Sequence, residues 1–416
     1  MKKYPYLIIY YICFLILASC TQDEFEPDPI GEKVPFEEIK KNTLEDALQK
    51  SGNDLFLTAL KNSNIPSLLS DWGKEPLTLL VPSDNAFKSA GYTKDKIALM
   101  SAQDLDTLLL YHILQGQLDT TVVKKTAGSV QLSSKLNTTV TFRESPTLYT
   151  YGHNVAISNN NLIIDGKNRS AYHVEKTKGP DLIFINNLLI RPTEDIWKTL
   201  KRYPDLSIFM ELLQLQDYAY NNIPTWWGGI SSWPEATAIN YLSIVSNTNQ
   251  NTIPYQSIFA PTNEAFIKAG YSTAEDFLKL NDLNKRDKIG TFMYYRYGAV
   301  YDFQPFLKSD SIISYHSLWG RRYFPTDTRP NPIVFFSNDL KDEILSNYII
   351  NTRYDSDSKP PIKCPFKFSK TSDGQVQIKL KDAKEGTEAA TVVESDIMTL
   401  NGPIHIVDRL FIPKGF

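Results

Sequence analysis

Five histidines are the side chains of this sequence best suited to proton transfer or metal binding, and their spacing indicates neither role. They are His112, His153, His173, His316 and His405. The sequence also lacks Gly-x-Ser-x-Gly, His-Glu-x-x-His, Gly-x-x-x-x-Gly-Lys and Cys-x-x-Cys segments. We therefore predict no catalytic residue, no metal site and no cofactor. A glycoside hydrolase stays open as a third candidate function, because its two carboxylates come from distant segments and leave no local spacing.

Tryptophans are the best candidates for direct contact with a ligand. Trp226, Trp227 and Trp233 lie in an insertion, residues 218–255, that is rich in aromatic and turn-forming residues. Flat rings with a polar edge bury a large area at low entropy cost, and they stack well on sugar rings or on the apolar patch of a protein. The alternative is a cluster that packs the insertion against its own domain. Trp319 is a second candidate, because the arginines that follow it can pair with carboxylates.

Residues 1–19 have the pattern of a secretion signal. Two lysines precede a mostly apolar run, and Ala18 and Ser19 stand directly before Cys20, which resembles the bacterial lipobox. The pattern predicts cleavage before Cys20 and its modification with acyl chains, palmitate among them, which would anchor the chain to a membrane. The alternatives are an ordinary signal peptide and a short anchor helix with an incidental cysteine.

Residues 20–37 are predicted to be an extended tether, because prolines and acidic side chains dominate them. Acidic residues just after a lipidated cysteine are similar to an export signal to the outside of the outer membrane, although they also suit a solvated linker. We expect a lipid-anchored protein of the cell outer membrane, exposed at the surface.

Composition and charge describe the remaining chain and make a nucleic-acid partner and a disulfide unexpected. The 416 residues are 42% hydrophobic and 22% charged, which is typical of soluble globular domains, and the length suits two of them. The formal net charge is −3, and loss of Lys2 and Lys3 makes it more negative, so nucleic acid is not an expected partner. With Cys13 removed and Cys20 acylated, only Cys364 is left, so no intrachain disulfide is expected.

An internal repeat organises the chain. The segments Pro82–Tyr92 and Pro261–Tyr271 share a Pro, two Ala, a Phe, a Gly and a Tyr, and each follows a short apolar run. The pattern predicts a buried strand, a helix capped by Ser83 or Thr262, and a left-handed glycine that ends the helix.

Helical patterns precede each copy of the repeat, and β-prone runs follow the first copy. Thr43 begins a predicted capped helix before the first copy, and Ser101 begins another one after it. The predicted strands are residues 138–142, 155–157, 162–164 and 182–190. Helices followed by strands, twice over, indicate an α+β architecture in which the terminal strand closes each sheet. We place the domains at 38–193 and 194–416, the second with insertions.

Two segments of the second unit carry a family resemblance. Phe259–Phe266, with the sequence Phe-Ala-Pro-Thr-Asn-Glu-Ala-Phe, is similar to the first conserved box of fasciclin domains, and Asn401–Pro413 is similar to the second. In the first unit, Thr78–Phe87 resembles the first box and Tyr111-His112 resembles the tyrosine-histidine segment of the family. Its second box departs, because Gly179–Ile185 lacks the usual Asn and His.

The second unit is expected to lack the tyrosine-histidine pair. It has Tyr294–Gly298 in that part of the sequence instead. In the second box, His405 is expected to face away from its isoleucine neighbours and to bond to the preceding turn.

The resemblance implies two tandem fasciclin-like domains, each an N-terminal group of helices packed on a small β-sandwich or wedge. It also implies adhesion or ligand capture outside the cell, with a glycan or a protein as ligand. Because the tyrosine-histidine segment of animal relatives is linked to integrin binding, Tyr111 and His112 are candidate contacts, although a packed core histidine is the stronger interpretation. A structural accessory subunit of an outer-membrane uptake complex, docked on a transporter, is the alternative function.

Overall fold

The structure is a computed structural model. The residues that it describes are 42–73, 75–118, 120–126, 128–142, 148–221, 245–247, 250–253, 256–281, 290–296, 299–306, 308–317, 334–351 and 362–416. Within this part of the chain, no helix is both long and apolar enough to cross a membrane.

Both halves of the fold, residues 42–193 and 194–416, contain mostly short helices. In the first half they are α1 (Leu44–Ser51), α2 (Asp54–Asn62), α3 (Ile65–Asp71), α4 (Asp84–Ser89), α5 (Lys94–Leu99), α6 (Ala102–Leu110) and α7 (Thr120–Lys125). In the second half they are α8 (Ile196–Leu200), α9 (Ser207–Asn221), α10 (Asn263–Lys268), α11 (Ala274–Leu278), α12 (Asp310–Ser317) and α13 (Asp342–Leu345). Both helices of the repeat have the predicted N-caps, since the hydroxyls of Ser83 and Thr262 accept from the backbone N–H three residues on.

The strands of the first half form one large sheet. They are β1 (Leu77–Pro82), β2 (Ile113–Gln115), β3 (Val130–Phe142), β4 (Leu148–Ser158), β5 (Asn161–Ile164), β6 (Lys167–Ala171) and β7 (Asp181–Ile185), followed by β8 (Val245–Asn247) and β9 (Gln250–Ile253). The order is β6-β5-β4-β3-β2-β1-β7, with β9 parallel to the end of β3 and β8 paired to β9. Strand β7 ends at Ile185, so the predicted strand over 182–190 is too long.

The second half carries a smaller sheet and two separate hairpins. Its strands are β10 (Ile258–Pro261), β11 (Gly290–Arg296), β12 (Ala299–Phe306), β13 (Ile349–Asn351), β14 (Ile362–Lys363), β15 (Phe366–Lys370), β16 (Val376–Leu380), β17 (Ala390–Thr399) and β18 (Gly402–Val407). The five-stranded order is β10-β18-β17-β16-β15, while β11 pairs with β12 and β13 with β14.

In each half, the terminal strand pairs in parallel with the strand of the repeat and so closes the sheet, as predicted. Strand β1 runs parallel to β7, and β10 runs parallel to β18. The departing box of the first half therefore still closes its sheet.

Both repeat strands lie between two apolar cores, which explains their continuous apolar sequences. In β1, Leu79 faces the helices and Leu80 faces the other side of the sheet. In β10, Ile258 faces the helices and Phe259 faces the strands β15 to β17. All four side chains are fully buried. Burial of each contributes about 1.5–3 kcal/mol, so these strands are central to the stability of both halves.

Candidate functional site

Five of the residues proposed from the sequence lie outside the described part of the chain. They are the lipidation candidate Cys20 and the ligand-contact candidates Trp226, Trp227, Trp233 and Trp319. The described candidates are Tyr111 and His112.

Tyr111 and His112 follow helix α6 and are interior groups, 3% and 1% exposed. The Nε2 atom of His112 accepts a hydrogen bond from the backbone N–H of Leu189 at 3.0 Å. Its Nδ1–H therefore donates to the carbonyl oxygen of Leu108 at 2.9 Å. The ring of Tyr111 packs edge-on against Tyr151. In this conformation the pair ties the helix to the segment after β7 and presents no surface to a ligand.

The second half contains an equivalent pair, Tyr315-His316, within helix α12. The Nε2 atom of His316 accepts from the N–H of Phe411 at 3.1 Å, and its Nδ1–H donates to the carbonyl oxygen of Phe259 at 2.8 Å. Both side chains are buried. As in the first half, the histidine joins a helix to the residues that follow the terminal strand.

The expectation that the second unit lacks this pair is therefore wrong. Tyr294–Arg296 belong to β11, one strand of a hairpin with β12. That hairpin lies between the repeat and helix α12, so it lengthens the spacing from the repeat to the histidine. The sequence signal for this pair was the dipeptide Tyr315-His316 itself, which follows two isoleucines and a serine. Its distance from the repeat could not have identified it, because the hairpin lengthens that distance.

Burial keeps these two histidines neutral. Desolvation lowers the pKa of His112 to about 3, and it also lowers the pKa of His316 to about 3. The hydrogen bonds agree, since each ring uses one nitrogen as a donor and the other as an acceptor. Neither ring has a free nitrogen for proton transfer or metal binding.

His405 in the second box bonds to the backbone through both ring nitrogens. Its Nε2–H donates to the carbonyl oxygen of Phe335 at 2.8 Å, and its Nδ1 accepts from the N–H of Asp396 at 3.4 Å. It faces the Phe259 side of the sheet, as predicted from strand alternation. Its partners are Phe335 and a bulge of β17 rather than the preceding turn. Burial lowers the pKa of His405, against the opposing charge of Asp396.

Ser337, Asp396 and His405 lie close together without the geometry of a nucleophile. The hydroxyl of Ser337 donates to the carboxylate of Asp396 at 2.5 Å, while both nitrogens of His405 are taken up by backbone groups. No imidazole therefore contacts the hydroxyl oxygen, and a Ser-His-Asp arrangement is not formed.

A second buried pair, His153 and Asp165, braces the first half. The Nδ1 atom of His153 lies 2.7 Å from Asp165 Oδ2, and its Nε2 atom lies 2.9 Å from the carbonyl oxygen of Tyr111. The other carboxylate oxygen accepts from the N–H of Asn154 at 2.9 Å. These bonds join β4 to the end of the tyrosine-histidine helix, which is a structural role. Within the described ranges, no group of three or more His, Cys, Asp or Glu side chains could hold a metal ion.

Two aspartates of the second half contact the first half, one through hydrogen bonds and the other through a close approach. Oδ1 of Asp339 accepts from both the N–H and the hydroxyl of Ser129, at 2.9 and 3.1 Å. Burial raises the pKa of Asp339. Asp396 lies so close to Gly166 that a Cβ atom there would overlap its carboxylate. Residues 42–416 accordingly form one compact unit.

Comparison with known families decides the assignment. The family model for the Fasciclin domain matches residues 51–176 and 325–413, which together make up more than half of the chain. The chain belongs to the fasciclin domain family. It has two tandem fasciclin domains with an α+β fold, and domains of this family occur in cell adhesion or surface proteins. The first match contains Tyr111-His112, and the second contains the box Asn401–Pro413.

A solved structure is similar to the chain at low identity. It is the FAS1 domain pair from the insect cell adhesion molecule Fasciclin I, with 14% sequence identity and a TM-score of 0.29, covering 87% of this chain and 97% of that one. No curated protein matches the sequence.

Proposed function

We propose that this fasciclin protein is an outer-surface lipoprotein that mediates adhesion or captures a ligand, either a glycan or a protein. The membership of both halves in a family of adhesion and surface domains carries the proposal. The sequence of residues 1–20 supports secretion and acylation of Cys20. Four histidines support a binding role over a catalytic one, because the nitrogens of His112, His153, His316 and His405 bond to backbone or to a buried carboxylate.

The anchor is tested by replacing the thiol. We expect Cys20→Ser to abolish incorporation of labelled palmitate, because the residue that would carry the acyl chains is replaced. The measurement is metabolic labelling. The matched control is Cys364→Ser, since Cys364 is a buried thiol whose pKa is raised to about 11 by burial. Equal labelling of the Cys20→Ser variant and the parent chain would refute lipidation at this residue.

The ligand contacts are proposed to be Trp226, Trp227 and Trp233, with Trp319 as a second site. The insertion that holds the first three, residues 218–255, also contains strands β8 and β9. Strand β9, which follows β8, pairs with β3 of the first domain.

Replacement of the three tryptophans together by alanine is expected to weaken binding by roughly 30-fold or more, the effect of losing an aromatic hot spot. The measurement is a binding screen of the full chain, purified in detergent, against polysaccharides and extracellular-matrix proteins. The triple replacement by phenylalanine is the matched control, because it keeps flat rings and should keep most of the affinity. Retained affinity in the alanine variant would remove these residues as the site.

The same screen separates the alternative functions. A folded protein that binds nothing in the array would favour the accessory-subunit function, and crosslinking in intact membranes would then identify the transporter. Release of reducing sugar from any polysaccharide would instead support a glycoside hydrolase.

A further inference from the structure

The hairpin β15–β16 presents two lysines side by side on its exposed face. Lys367 and Lys379 are directly opposite each other in the antiparallel register, and both side chains are exposed. Residues directly opposite on adjacent strands have Cβ atoms about 4.5–5.5 Å apart. The neighbouring pair on the same face is Ser369 and Gln377. We call this surface, Lys367, Ser369, Gln377 and Lys379, the lysine face.

The hairpin is the basic part of an acidic protein. Residues 363–384 contain six lysines and two aspartates, whereas the whole chain has a formal net charge of −3. Lys363 and Lys381 flank the lysine face at one end, and both are tied to the region around Asn347 and Ser346 by hydrogen bonds. Their ammonium groups add to the positive potential of the face.

Acidic neighbours do not neutralise the lysine face within the described residues. No ion pair joins Lys367 or Lys379 to a described carboxylate. Two acids lie near the hairpin: Asp342, whose Oδ1 accepts from the N–H of Phe368, and Glu388, which pairs with Arg409. The carboxylate of Asp342 is held by the strand's backbone instead of by a lysine.

Protection of the sheet edge explains only one of the two lysines. Edge strands often carry lysine to prevent pairing with another chain, and β15 is an edge strand. Strand β16 also pairs with β17, through Gln377 and Ile378 next to Lys379, so Lys379 does not belong to the outer strand. Like charges directly opposite on a sheet are destabilising, and a structural role for the pair is therefore not apparent.

We propose that the lysine face binds an acidic polysaccharide. Positive charges that follow one another across adjacent strands complement a linear polymer with regularly spaced carboxylates or sulfates. A lipid surface fits less well, because the exposed side of this hairpin offers lysine, serine and glutamine in place of the apolar side chains that enter a membrane interface. A nucleic acid fits less well too, because this side has no exposed aromatic ring for base stacking.

This inference rests on the proposed function, which makes the chain an extracellular binding protein, and it adds a ligand class and a second site. The lysine face belongs to the second domain's five-stranded sheet, while the tryptophan insertion joins the first domain's sheet through β9. The two sites can therefore be tested by separate variants.

The test uses the full chain in detergent with dextran sulfate and alginate as acidic probes and unmodified dextran as the neutral one. We expect both acidic polymers to bind and dextran not to bind at this face. The double variant Lys367→Gln/Lys379→Gln should weaken binding of the acidic polymers roughly tenfold, because two exposed charges leave the contact. Binding by the parent chain should also weaken as salt is raised.

The matched control is Lys88→Gln/Lys94→Gln, which removes the same charge from exposed positions of the first domain. It should change affinity by less than about twofold, since distant exposed charges are screened by salt. The variant Lys367→Arg/Lys379→Arg, which keeps the charge, should bind like the parent chain.

Equal losses in the two glutamine variants would overturn the proposal, since net charge alone would then explain binding. Tighter binding to vesicles of phosphatidylglycerol or to single-stranded DNA than to either acidic polymer would also overturn it. Binding that is unchanged in the lysine-to-glutamine variant but lost in the tryptophan-to-alanine variant would overturn the proposal that the lysine face binds the polymer. The proposed function would then still be supported.

Discussion

The substitution Gly402→Ala is expected to unfold the second fasciclin domain. Gly402 begins β18 with a φ of +120°, and a Cβ atom there would overlap the backbone carbonyl of Gln256. The two segments are held together, because the N–H of Gln256 donates to the carbonyl oxygen of Asn401 at 2.8 Å. Backbone cannot rotate away as a side chain can, so the cost should exceed about 4–5 kcal/mol, a large part of the stability of an ordinary domain.

Urea unfolding of the full chain measures the loss of stability. Limited proteolysis then identifies the domain that has unfolded. Gly386→Ala is the matched control: its φ is +79°, and nothing lies within 4 Å of the added Cβ. It should cost only about 1–2 kcal/mol, the strain of a left-handed residue. If the two variants unfold at the same urea concentration, backbone strain explains both and the contact with Gln256 is unimportant.

Local sequence patterns were sufficient to predict the repeat elements. An apolar run, a proline, a capping hydroxyl and a glycine all lie within Leu77–Gly91, and each acts on its immediate neighbours. The structure has Ser83 and Thr262 as N-caps and Gly91 and Gly270 in the left-handed region, as predicted. The α+β fold of two tandem domains follows from repeating this unit, and the family assignment agrees.

Contacts between distant segments could not be predicted in the same way. His316 lies 95 positions from its partner Phe411, and the β11–β12 hairpin changes the spacing that would have identified it. The lysine face depends on the register of β15 and β16, which places Lys367 opposite Lys379. Asp339 lies 210 positions from its partner Ser129, so no local pattern predicts that contact. The tryptophan and Cys20 hypotheses stay predictions.

Acid is expected to destabilise this protein well above the pH at which carboxylates titrate. His112 and His316 each have a pKa of about 3 in the fold, whereas the ordinary histidine pKa is 6.5. The unfolded chain therefore takes up a proton at each site as pH falls through 6.5, and the folded chain does not. Their stabilisation is fully present above pH 6.5 and is lost progressively down to about pH 3. Burial lowers the pKa of His405 as well, which adds to the same effect.

Two histidines should together lower the free energy of unfolding by about 3 kcal/mol between pH 6.5 and pH 5, where unfolded carboxylates contribute little. Urea unfolding at several pH values measures it. His316→Gln should show weaker pH dependence than the parent chain, by up to one proton, even if its stability at pH 7 is lower. His173→Gln, at an exposed position, controls for loss of a histidine. A free energy that stays constant over this window, or an unchanged slope in His316→Gln, would show that these rings can be protonated without unfolding. The hydrogen bonds from Leu189 and Phe411 argue against that, because each one needs an unprotonated Nε2.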